Sequence, residues 1–400
     1  MSKKILIVTE YFYPEEFKIN EIALEWKKKG HEVSVITNFP TYPAGKVFDG
    51  YENRWYQKDS YEGITVYRVK SVTGYKESLF KKLLKYFVFM FLGSFVALRV
   101  GKKQDVLFGF NMAALTGMLP AVLVKKVYKK HLTFWAQDIW PDSVYAYGFK
   151  KTKALSFILD QFVKFMYHSI DAIAISGKGF KEKLQPYVRD TLTFHYLPNW
   201  ADDLDMSLEA VAFSKEKKVH FTFAGNVGKV QNLNNIILAF NDLEDRYEQK
   251  AQLNIVGDGS ALDELIALNK KSNVIFHGRK PRSDMAKYYK ASDFLIVSLV
   301  DKPIFSVTVP AKTQTYIAAK KPILAIINGD AAEMIEDNNL GFRAHPNDIQ
   351  EIKNIFMKSI DLTLHEKEIF TLNCQKLTDT IFNKEKIIDR LEDLTLGLTG

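Results

Sequence analysis

The sequence is poor in cysteine, with only Cys374 among its 400 residues. One thiol cannot form an intramolecular disulfide, so a disulfide-stapled secreted scaffold is excluded and a reducing compartment is indicated. Without a partner cysteine, a redox or metal role has no support, and we interpret Cys374 as a small packing residue. The N-terminal apolar run, Ile5–Val8, has four residues and predicts a first strand, not a signal peptide.

Long uncharged apolar runs and metal-ligand motifs are also missing. The longest uncharged apolar stretch, 86–98, is too short to span a bilayer as a helix. The histidines are scattered without HExxH or similar ligand spacing, so we expect no bound metal. The loop after the first strand, Glu10–Glu16, lacks the GxGxxG pattern, which argues against NAD or FAD.

The composition is that of a globular protein, with 47% hydrophobic and 26% charged residues. A chain of 400 residues fits two domains of about 200 residues each. Short β-branched runs alternate with helical patterns in both halves, which predicts parallel sheets with helices on both faces. The predicted strands are Ile5–Val8, Val33–Ile36, Thr65–Val69, Val106–Phe110, Leu132–Trp135, Ala172–Ile175, His220–Ala224, Leu253–Val256, Val274–Phe276, Phe294–Val297 and Ile323–Ile327.

The pattern predicts a first domain over 1–205 and a second over 206–380, joined through the polar stretch 202–218. A final helix over 381–396 is expected to pack back on the first domain. Two doubly wound α/β domains form a cleft, and ligands bind at the carboxyl ends of the strands. The loops that follow the strands are therefore the candidate sites.

The stretch 224–231 follows the first strand of the second half and precedes a helical pattern. Glycines just before the start of a helix let a phosphate approach the backbone closely, which favours a phosphate-binding site here. The alternative is that the stretch is only a tight turn. The candidate residues here are Gly225, Asn226, Gly228, Lys229 and Gln231. The loop that ends a later strand adds Arg279 and Lys280, whose backbone and charges suit a nucleobase and its phosphates.

The stretch 301–322 is the densest in polar side chains beside prolines. Pro310 suits a helix start, which would put Lys312, Gln314 and Thr315 in the first turn, where a diphosphate and a ribose can bind. Lys302 and the segment Ile304, Phe305 and Ser306 would reach the sugar. A purely structural role would explain the prolines but not the polar first turn.

A carboxylate, Asp138, follows a buried strand of the first half within Trp135–Ser143. Tryptophans there can stack on sugar rings; alternatively, Asp138 caps a loop and the tryptophans are core residues. Basic side chains flank the aromatic-rich stretch 86–98 and follow a second apolar stretch, 112–124, which suits an anionic membrane surface or two core helices with solvated ends. These side chains are Lys76, Lys81, Lys82, Lys85, Arg99, Lys102, Lys103, Lys125, Lys126, Lys129 and Lys130. No nucleic-acid recognition motif accompanies them.

Together these motifs resemble a bacterial family-4 retaining glycosyltransferase of the GT-B fold, most like the L-fucosamine transferases of O-antigen and capsule assembly. The resemblance rests on segments 12–15, 39–46, 135–143, 196–202, 224–231 and 303–322. The family's diphosphate-binding Arg and Lys correspond here to Asn226 and Gln231. Its ribose-binding glutamate corresponds to Thr315.

The resemblance implies transfer, with retention, of an N-acetylated amino or deoxy-amino sugar from a UDP-sugar to a polyprenyl-diphosphate-linked saccharide. Lys312 and Lys229 would stabilise the leaving diphosphate without metal, and Asp138 would orient or deprotonate the acceptor. Tyr13, Glu15, Glu16 and Trp140 are expected on the acceptor side. The expected location is cytoplasmic, at the inner face of the membrane. The alternatives are a nucleotide-sugar epimerase and a non-catalytic nucleotide-sugar-binding or membrane scaffold protein.

Overall fold

The fold comes from a computed structural model that describes residues 2–75, 78–112, 114–146, 149–201 and 203–398. The predicted Lys76 and Asp202, and the side chain of Ile304, lie outside the described residues. The chain divides into two compact units. Unit 1 comprises 1–198 and 385–400, and unit 2 comprises 199–384.

Unit 1 is built on one eight-stranded sheet with the order β3-β4-β2-β1-β5-β6-β7-β8. All neighbours run parallel except β3 and β4, which are antiparallel. The strands are β1 (Lys4–Val8), β2 (Glu32–Asn38), β3 (Tyr56–Tyr61), β4 (Ile64–Val69), β5 (Val106–Asn111), β6 (His131–Ala136), β7 (Ala172–Ile175) and β8 (Phe194–Tyr196).

Helices cover this sheet because their apolar stripes face it, as in α1, where Ile19, Ile22, Ala23 and Trp26 are buried. The helices in the first segment of unit 1, up to residue 198, are α1 (Lys18–Lys28), α2 (Leu79–Gly101), α3 (Leu119–Tyr128), α4 (Asp142–Ala146), α5 (Lys153–Tyr167) and α6 (Phe180–Leu184), with 3-10 turns at Leu115–Met118 and Gln185–Tyr187.

Unit 2 holds a six-stranded, all-parallel sheet with the order β11-β10-β9-β12-β13-β14. Its strands are β9 (Val219–Ala224), β10 (Ala251–Val256), β11 (Val274–Gly278), β12 (Phe294–Ser298), β13 (Ile323–Ile326) and β14 (Gly341–Ala344). Its helices are α7 (Leu233–Asn241), α8 (Asp245–Glu248), α9 (Leu262–Leu268), α10 (Met285–Ala291), α11 (Pro303–Ser306), α12 (Ala311–Ala318), α13 (Asp330–Asp337), α14 (Ile349–Asp361) and α15 (Leu364–Asp379), with 3-10 turns at Lys229–Gln231 and Arg282–Asp284.

The last helix, α16 (Lys384–Leu396), returns to unit 1, where Trp26 Nε1 donates to the carbonyl of Ile388 at 3.5 Å. His31 Nε2 lies 2.9 Å from the carboxylate of Glu392 in the same helix. This helix starts three residues later than the sequence pattern indicates.

Each strand expected from the sequence is present, within one or two residues at its ends. Strands β3, β8 and β14 were not predicted. The antiparallel β3, Tyr56–Tyr61, has four polar residues between two terminal tyrosines and no fully buried position, so it lacks the apolar run used to find the others. The polar stretch 203–218 groups with unit 2, which begins at residue 199.

Helix α2 is longer than its uncharged core of 86–98 indicates. It spans 23 residues, and its segment Phe80–Gly101 is long and apolar enough by composition to cross a membrane, with a mean hydropathy of 1.8 and 33% of that window buried. One face of the helix is core: Lys85 and Phe89 are 2% and 0% exposed. The opposite face is exposed, so α2 is neither a plain core helix nor a plain surface helix.

Candidate functional site

The loop after β9 brings two glycines of unit 2 into contact. Gly225 follows β9 and Gly257 follows β10, both with positive φ, of 135° and 147°. A Cβ on Gly257 would lie 1.8 Å from the carbonyl oxygen of Gly225, so no other residue fits at this position without moving backbone. The backbone N–H of Gly225 donates to Val256 and that of Gly257 to Gly278, which holds the ends of β9, β10 and β11 together.

Lys312 of α12 fills the space that a side chain on Gly225 would need. A Cβ there would lie 2.5 Å from both Cε and Nζ of Lys312. The ammonium also lies 3.9 Å from the ring centre of Phe223, a cation–π contact. Tyr316, one turn further along α12, ties the helix to the strand, because its hydroxyl lies 3.3 Å from both the backbone N–H and the carbonyl of Ala224. The positive charge is therefore fixed at the carboxyl end of β9.

Burial lowers the pKa of Lys312 from 10.5 to about 8. Among the described residues, no carboxylate pairs with its ammonium, so the ion-pair energy that usually compensates for burying a charge is missing. A site of this kind favours an anionic ligand, because an anion restores the charged form of the lysine.

An open pocket of about 630 Å³ lies against these glycines. That volume is within the usual range for a small-molecule site. Exposed Arg279 and half-buried Lys280 line its side, and among the described residues neither forms an ion pair with a carboxylate. The other lining residues are Gly225, Asn226, Val256, Gly257, Asp258, Gly259, Arg282 and Met285. Four of the candidate residues thus lie at one pocket: Gly225, Asn226, Arg279 and Lys280.

The amides of Asn226 and Gln231 bind each other. Asn226 Nδ2 donates to Gln231 Oε1 at 3.2 Å, and the backbone N–H of Gly228 donates to the same oxygen at 3.0 Å. This closes the 3-10 turn over Lys229–Gln231, after which α7 begins. Neutral amides therefore hold the loop in shape, and in this arrangement they contribute no charge to the pocket.

The polar first turn of α12 is mostly engaged with its own helix. Gln314 is 3% exposed, and its amide is satisfied only when turned over, so that the nitrogen donates to the carbonyls of Pro310 and Ala311 at 2.9 and 3.0 Å. Thr315 Oγ1 donates to Ala311 at 3.1 Å, which leaves its lone pairs for an outside donor. Pro310 takes the position before the helix, one residue earlier than a first helical position.

The remaining donor-side candidates lie at the surface. Lys229 and Lys302 are exposed, so they lack the burial that marks Lys312. Phe305 and Ser306 are half-buried in the short helix α11, and Ser306 Oγ donates to the carbonyl of Pro303 at 2.8 Å. A Cβ on Gly329 would meet the Ser306 carbonyl at 1.9 Å, so this turn packs against the start of α13.

In unit 1, Asp138 follows β6 and is held by its own loop. Its Oδ1 accepts from the backbone N–H of Ile139 at 2.9 Å and from the hydroxyl of Ser143. Burial raises the pKa of Asp138, while hydrogen bonds from Ser143 and Ile139 lower it. Asp138 is thus a constrained carboxylate beside Trp140, and the loop-capping role considered above is present.

The three N-terminal candidates, Tyr13, Glu15 and Glu16, have different environments. Tyr13 is 41% exposed and stacks on Tyr61 with ring centres 3.9 Å apart. Glu15 is 3% exposed and accepts from the backbone N–H groups of Thr41 and Tyr42 at 2.8 and 2.7 Å; burial raises its pKa. Glu16 is exposed. Glu15 therefore fixes the loop at 41–42.

Sequence reasoning missed two buried ionisable side chains beside that loop, Glu10 and Lys85. Burial raises the pKa of Glu10 to about 7, with Lys85 opposing the shift, and burial lowers the pKa of Lys85. Lys85 Nζ donates to the hydroxyl of Tyr11 at 3.2 Å and lies 4.3 Å from the ring centre of Tyr75. The sequence feature that could have identified them is Lys85 itself, a single lysine on the buried face of the apolar helix α2.

Within the part of the chain that the structure describes, no group of three or more His, Cys, Asp or Glu side chains is arranged to hold a metal ion.

The comparisons with known proteins decide the class of enzyme. Residues 207–369, which carry this pocket, match the family described as Glycosyl transferases group 1. The chain is a glycosyltransferase of the GT-B type. WbjE of Pseudomonas aeruginosa, named as a glycosyltransferase, is 26% identical over 280 residues, which are 66% of this chain and 68% of WbjE.

Two further matches agree with that class. WcaI of Escherichia coli (strain K12), named as a colanic acid biosynthesis glycosyl transferase, is 25% identical over 263 residues, which are 60% of this chain and 63% of WcaI. The structure of Anabaena HepE in complex with UDP and glucose superposes with a TM-score of 0.64 at 14% identity, over 99% of this chain and all of that one. The relation is thus to enzymes of bacterial polysaccharide biosynthesis.

Proposed function

We propose that this GT-B glycosyltransferase uses a UDP-sugar, with the diphosphate bound at the pocket lined by Gly225 and Gly257, next to Lys312, whose ammonium lies against Gly225. The observation that carries the proposal is the half-buried Lys312, whose ammonium has a lowered pKa and no carboxylate partner among the described residues. HepE, whose fold matches, has been solved with UDP and glucose. A pyrophosphate would supply the missing negative charge beside this ammonium.

The same charge can act in the reaction. As the glycosidic bond breaks, negative charge grows on the leaving diphosphate, and a fixed ammonium stabilises that change without reorganising. Arg279 and Lys280 line the pocket and add positive potential around it. In this proposal no metal is needed, the sugar is transferred with retention, and Asp138 orients or deprotonates the acceptor hydroxyl.

The transferred group and acceptor follow from the resemblance to L-fucosamine transferases. We propose an N-acetylated amino or deoxy-amino sugar as the transferred group and a polyprenyl-diphosphate-linked saccharide as the acceptor. WcaI, a relative, is named for colanic acid biosynthesis, which supports a role in surface polysaccharide assembly.

We also propose that unit 1 docks on the inner face of the cell membrane, and the exposed face of helix α2 supports docking. The side chains of Phe80, Leu84, Phe87, Phe91 and Phe95 recur on one face of the helix and are 71, 40, 49, 68 and 73% exposed. Four phenylalanines in one exposed stripe are unusual for a soluble surface and typical of a helix that lies in the interface of a bilayer. Lysines and arginines at both helix ends would meet anionic lipids.

The transfer reaction is tested by incubating the protein with a panel of UDP-sugars, with and without polyprenyl-diphosphate-linked saccharides. We expect UDP to be released only when both substrates are present. Conversion of the sugar nucleotide in the absence of acceptor would instead identify an epimerase, and no turnover with any pair would favour a binding protein.

Membrane docking is tested by co-sedimentation with anionic vesicles. Phe91→Ser should weaken binding, while Leu364→Ser, which removes an 80% exposed leucine from unit 2, should not. Binding should also fall as salt rises, because screening weakens the attraction of lysines to lipid head groups. Equal losses in both variants would contradict the assignment of α2.

A further inference from the structure

A groove of about 790 Å³ runs between α2 and the edge of the sheet in unit 1. Aromatic side chains form its walls, with Trp55 and Tyr56 on β3 or just before it, Tyr67 on β4 and Phe95 on α2. Tyr56 and Tyr67 stack with ring centres 6.4 Å apart. This volume is within the range of small-molecule sites, and the transfer reaction described above does not use it.

Two positive charges of the groove lie at the end of α2. Arg99 is in the last turn of the helix, Lys103 lies just beyond its end, and both line the groove. Both are exposed, and neither forms an ion pair with a carboxylate in the described part of the protein. The one acid that lines this end, Glu32, is already paired with Lys4 at 3.2 Å. The groove therefore has spare positive charge.

The floor of the groove carries a buried polar atom without a partner. Gln104 is 6% exposed, lines the groove, and its side-chain carbonyl oxygen accepts no hydrogen bond from the described residues. Leaving such an oxygen unpaired costs free energy, so native proteins rarely do so without a ligand or water. A ligand that satisfies it must carry a hydrogen-bond donor.

We propose that this groove binds the head group of an anionic phospholipid with hydroxyl groups, of the phosphatidylglycerol kind. Its phosphodiester would pair with Arg99 and Lys103, and, with the Gln104 amide turned toward the groove, a glycerol hydroxyl would donate to its Oε1. The acyl chains would continue over Phe95 and Phe91, because these residues lie four and eight positions before Arg99 and so share its face of α2. Phe95 belongs to both the groove and the exposed stripe, which links the two features.

This inference rests on the proposed membrane docking and adds selectivity for one head group. The test compares vesicles of phosphatidylcholine mixed with equal fractions of phosphatidylglycerol or of phosphatidylmethanol. Both added lipids have the same phosphodiester charge, but phosphatidylmethanol has no hydroxyl. We expect the full-length protein to bind the phosphatidylglycerol vesicles roughly threefold to tenfold more tightly, the range expected for one or two neutral hydrogen bonds.

Variants distinguish binding of a head group in the groove from nonspecific electrostatic attraction of the protein to anionic vesicles. Lys103→Ala should lower binding to phosphatidylglycerol vesicles more than Lys102→Ala, a neighbouring exposed lysine that does not line the groove. Gln104→Leu should abolish the preference between the two lipids while leaving binding to phosphatidylmethanol and the melting temperature unchanged. This variant removes an unsatisfied atom, so a merely structural role would not give that pattern.

Equal binding of the wild type to the two anionic lipids, or the same loss in Lys102→Ala and Lys103→Ala, would overturn the head-group site and leave docking intact. Failure to bind either anionic vesicle would overturn both this site and the proposed docking.

Discussion

Replacing Lys312 with methionine tests how the pocket binds its anion. Methionine keeps most of the length and volume of the lysine side chain and removes its charge. The site then loses the ammonium that lies against Gly225 and over the ring of Phe223. A hydrogen bond to a charged group is worth about 1.5–3 kcal/mol, so the affinity for UDP should fall by a factor of about 10 to 150.

The pKa of Lys312 makes the prediction more specific. Its fall from 10.5 to about 8 corresponds to roughly 3 kcal/mol against the charged form in the empty site. A bound diphosphate raises the pKa again, so binding takes up a proton wherever the free protein has lost one. Near pH 8 the free lysine is about half protonated, and UDP binding should take up about half a proton. Above pH 8 the affinity should decline by up to about tenfold per pH unit.

Isothermal titration calorimetry at pH 8 in two buffers with different ionisation enthalpies measures this uptake directly. The phosphates of UDP are already ionised at that pH and contribute little. Lys320→Met is the matched control, because Lys320 is an exposed lysine just beyond the far end of α12. Absence of proton uptake in the wild type, or the same uptake in Lys312→Met, would refute the reasoning.

Three other variants test separate parts of the structure. Gly257→Ala introduces a Cβ that would clash with the Gly225 carbonyl at a φ of 147°, so we expect a loss of about 3 kcal/mol or more in unfolding free energy and no measurable UDP binding. Tyr316→Phe removes the hydroxyl beside the backbone of Ala224, and should cost about 1 kcal/mol in urea unfolding with a modest rise in the KM for donor. The raised pKa of Glu10, about 7, means that the folded protein keeps a proton that the unfolded chain loses above pH 4.5, so stability should decline by up to about 3 kcal/mol between pH 4.5 and pH 7. Glu10→Gln should flatten that decline; an unchanged slope in chemical denaturation across this range would show that Glu10 does not titrate there.

Local patterns in the sequence were enough to predict most of the fold. Buried parallel strands such as β1 and β9 are continuous apolar runs, and amphipathic helices such as α1 repeat their apolar residues at helical spacing. The strands that were not predicted lack such a pattern. The edge strand β3 has only polar residues between its terminal tyrosines, and β8 has three half-buried residues, so neither shows an apolar run.

The candidate site could be predicted only in part. The glycines at 225 and 228 and the lysine at 312 follow from their positions after strands and at a helix start. The environments of these residues depend on contacts between segments far apart in sequence. The loop after β9 determines the pairing of Asn226 with Gln231 and the exposure of Lys229. The burial of Gln314 depends on the packing of α12. Sequence spacing does not determine these contacts.

The two faces of α2 show the same limit. Its composition indicates an apolar helix with basic ends, but not which phenylalanines are buried. Packing against α3 and the sheet buries Phe89 and leaves Phe91 and Phe95 exposed. The burial of Lys85 on the core face of α2 is explained only by the nearby carboxyl group of Glu10.

The central claim, that a UDP-sugar binds with its diphosphate at the end of β9, is tested most directly by a crystal structure of the protein with UDP. We predict that a phosphate oxygen lies within hydrogen-bonding distance of Lys312 Nζ, with the uridine toward Arg279 and Lys280. Electron density for UDP at any other place, with Lys312 still free of the phosphates, would contradict the account.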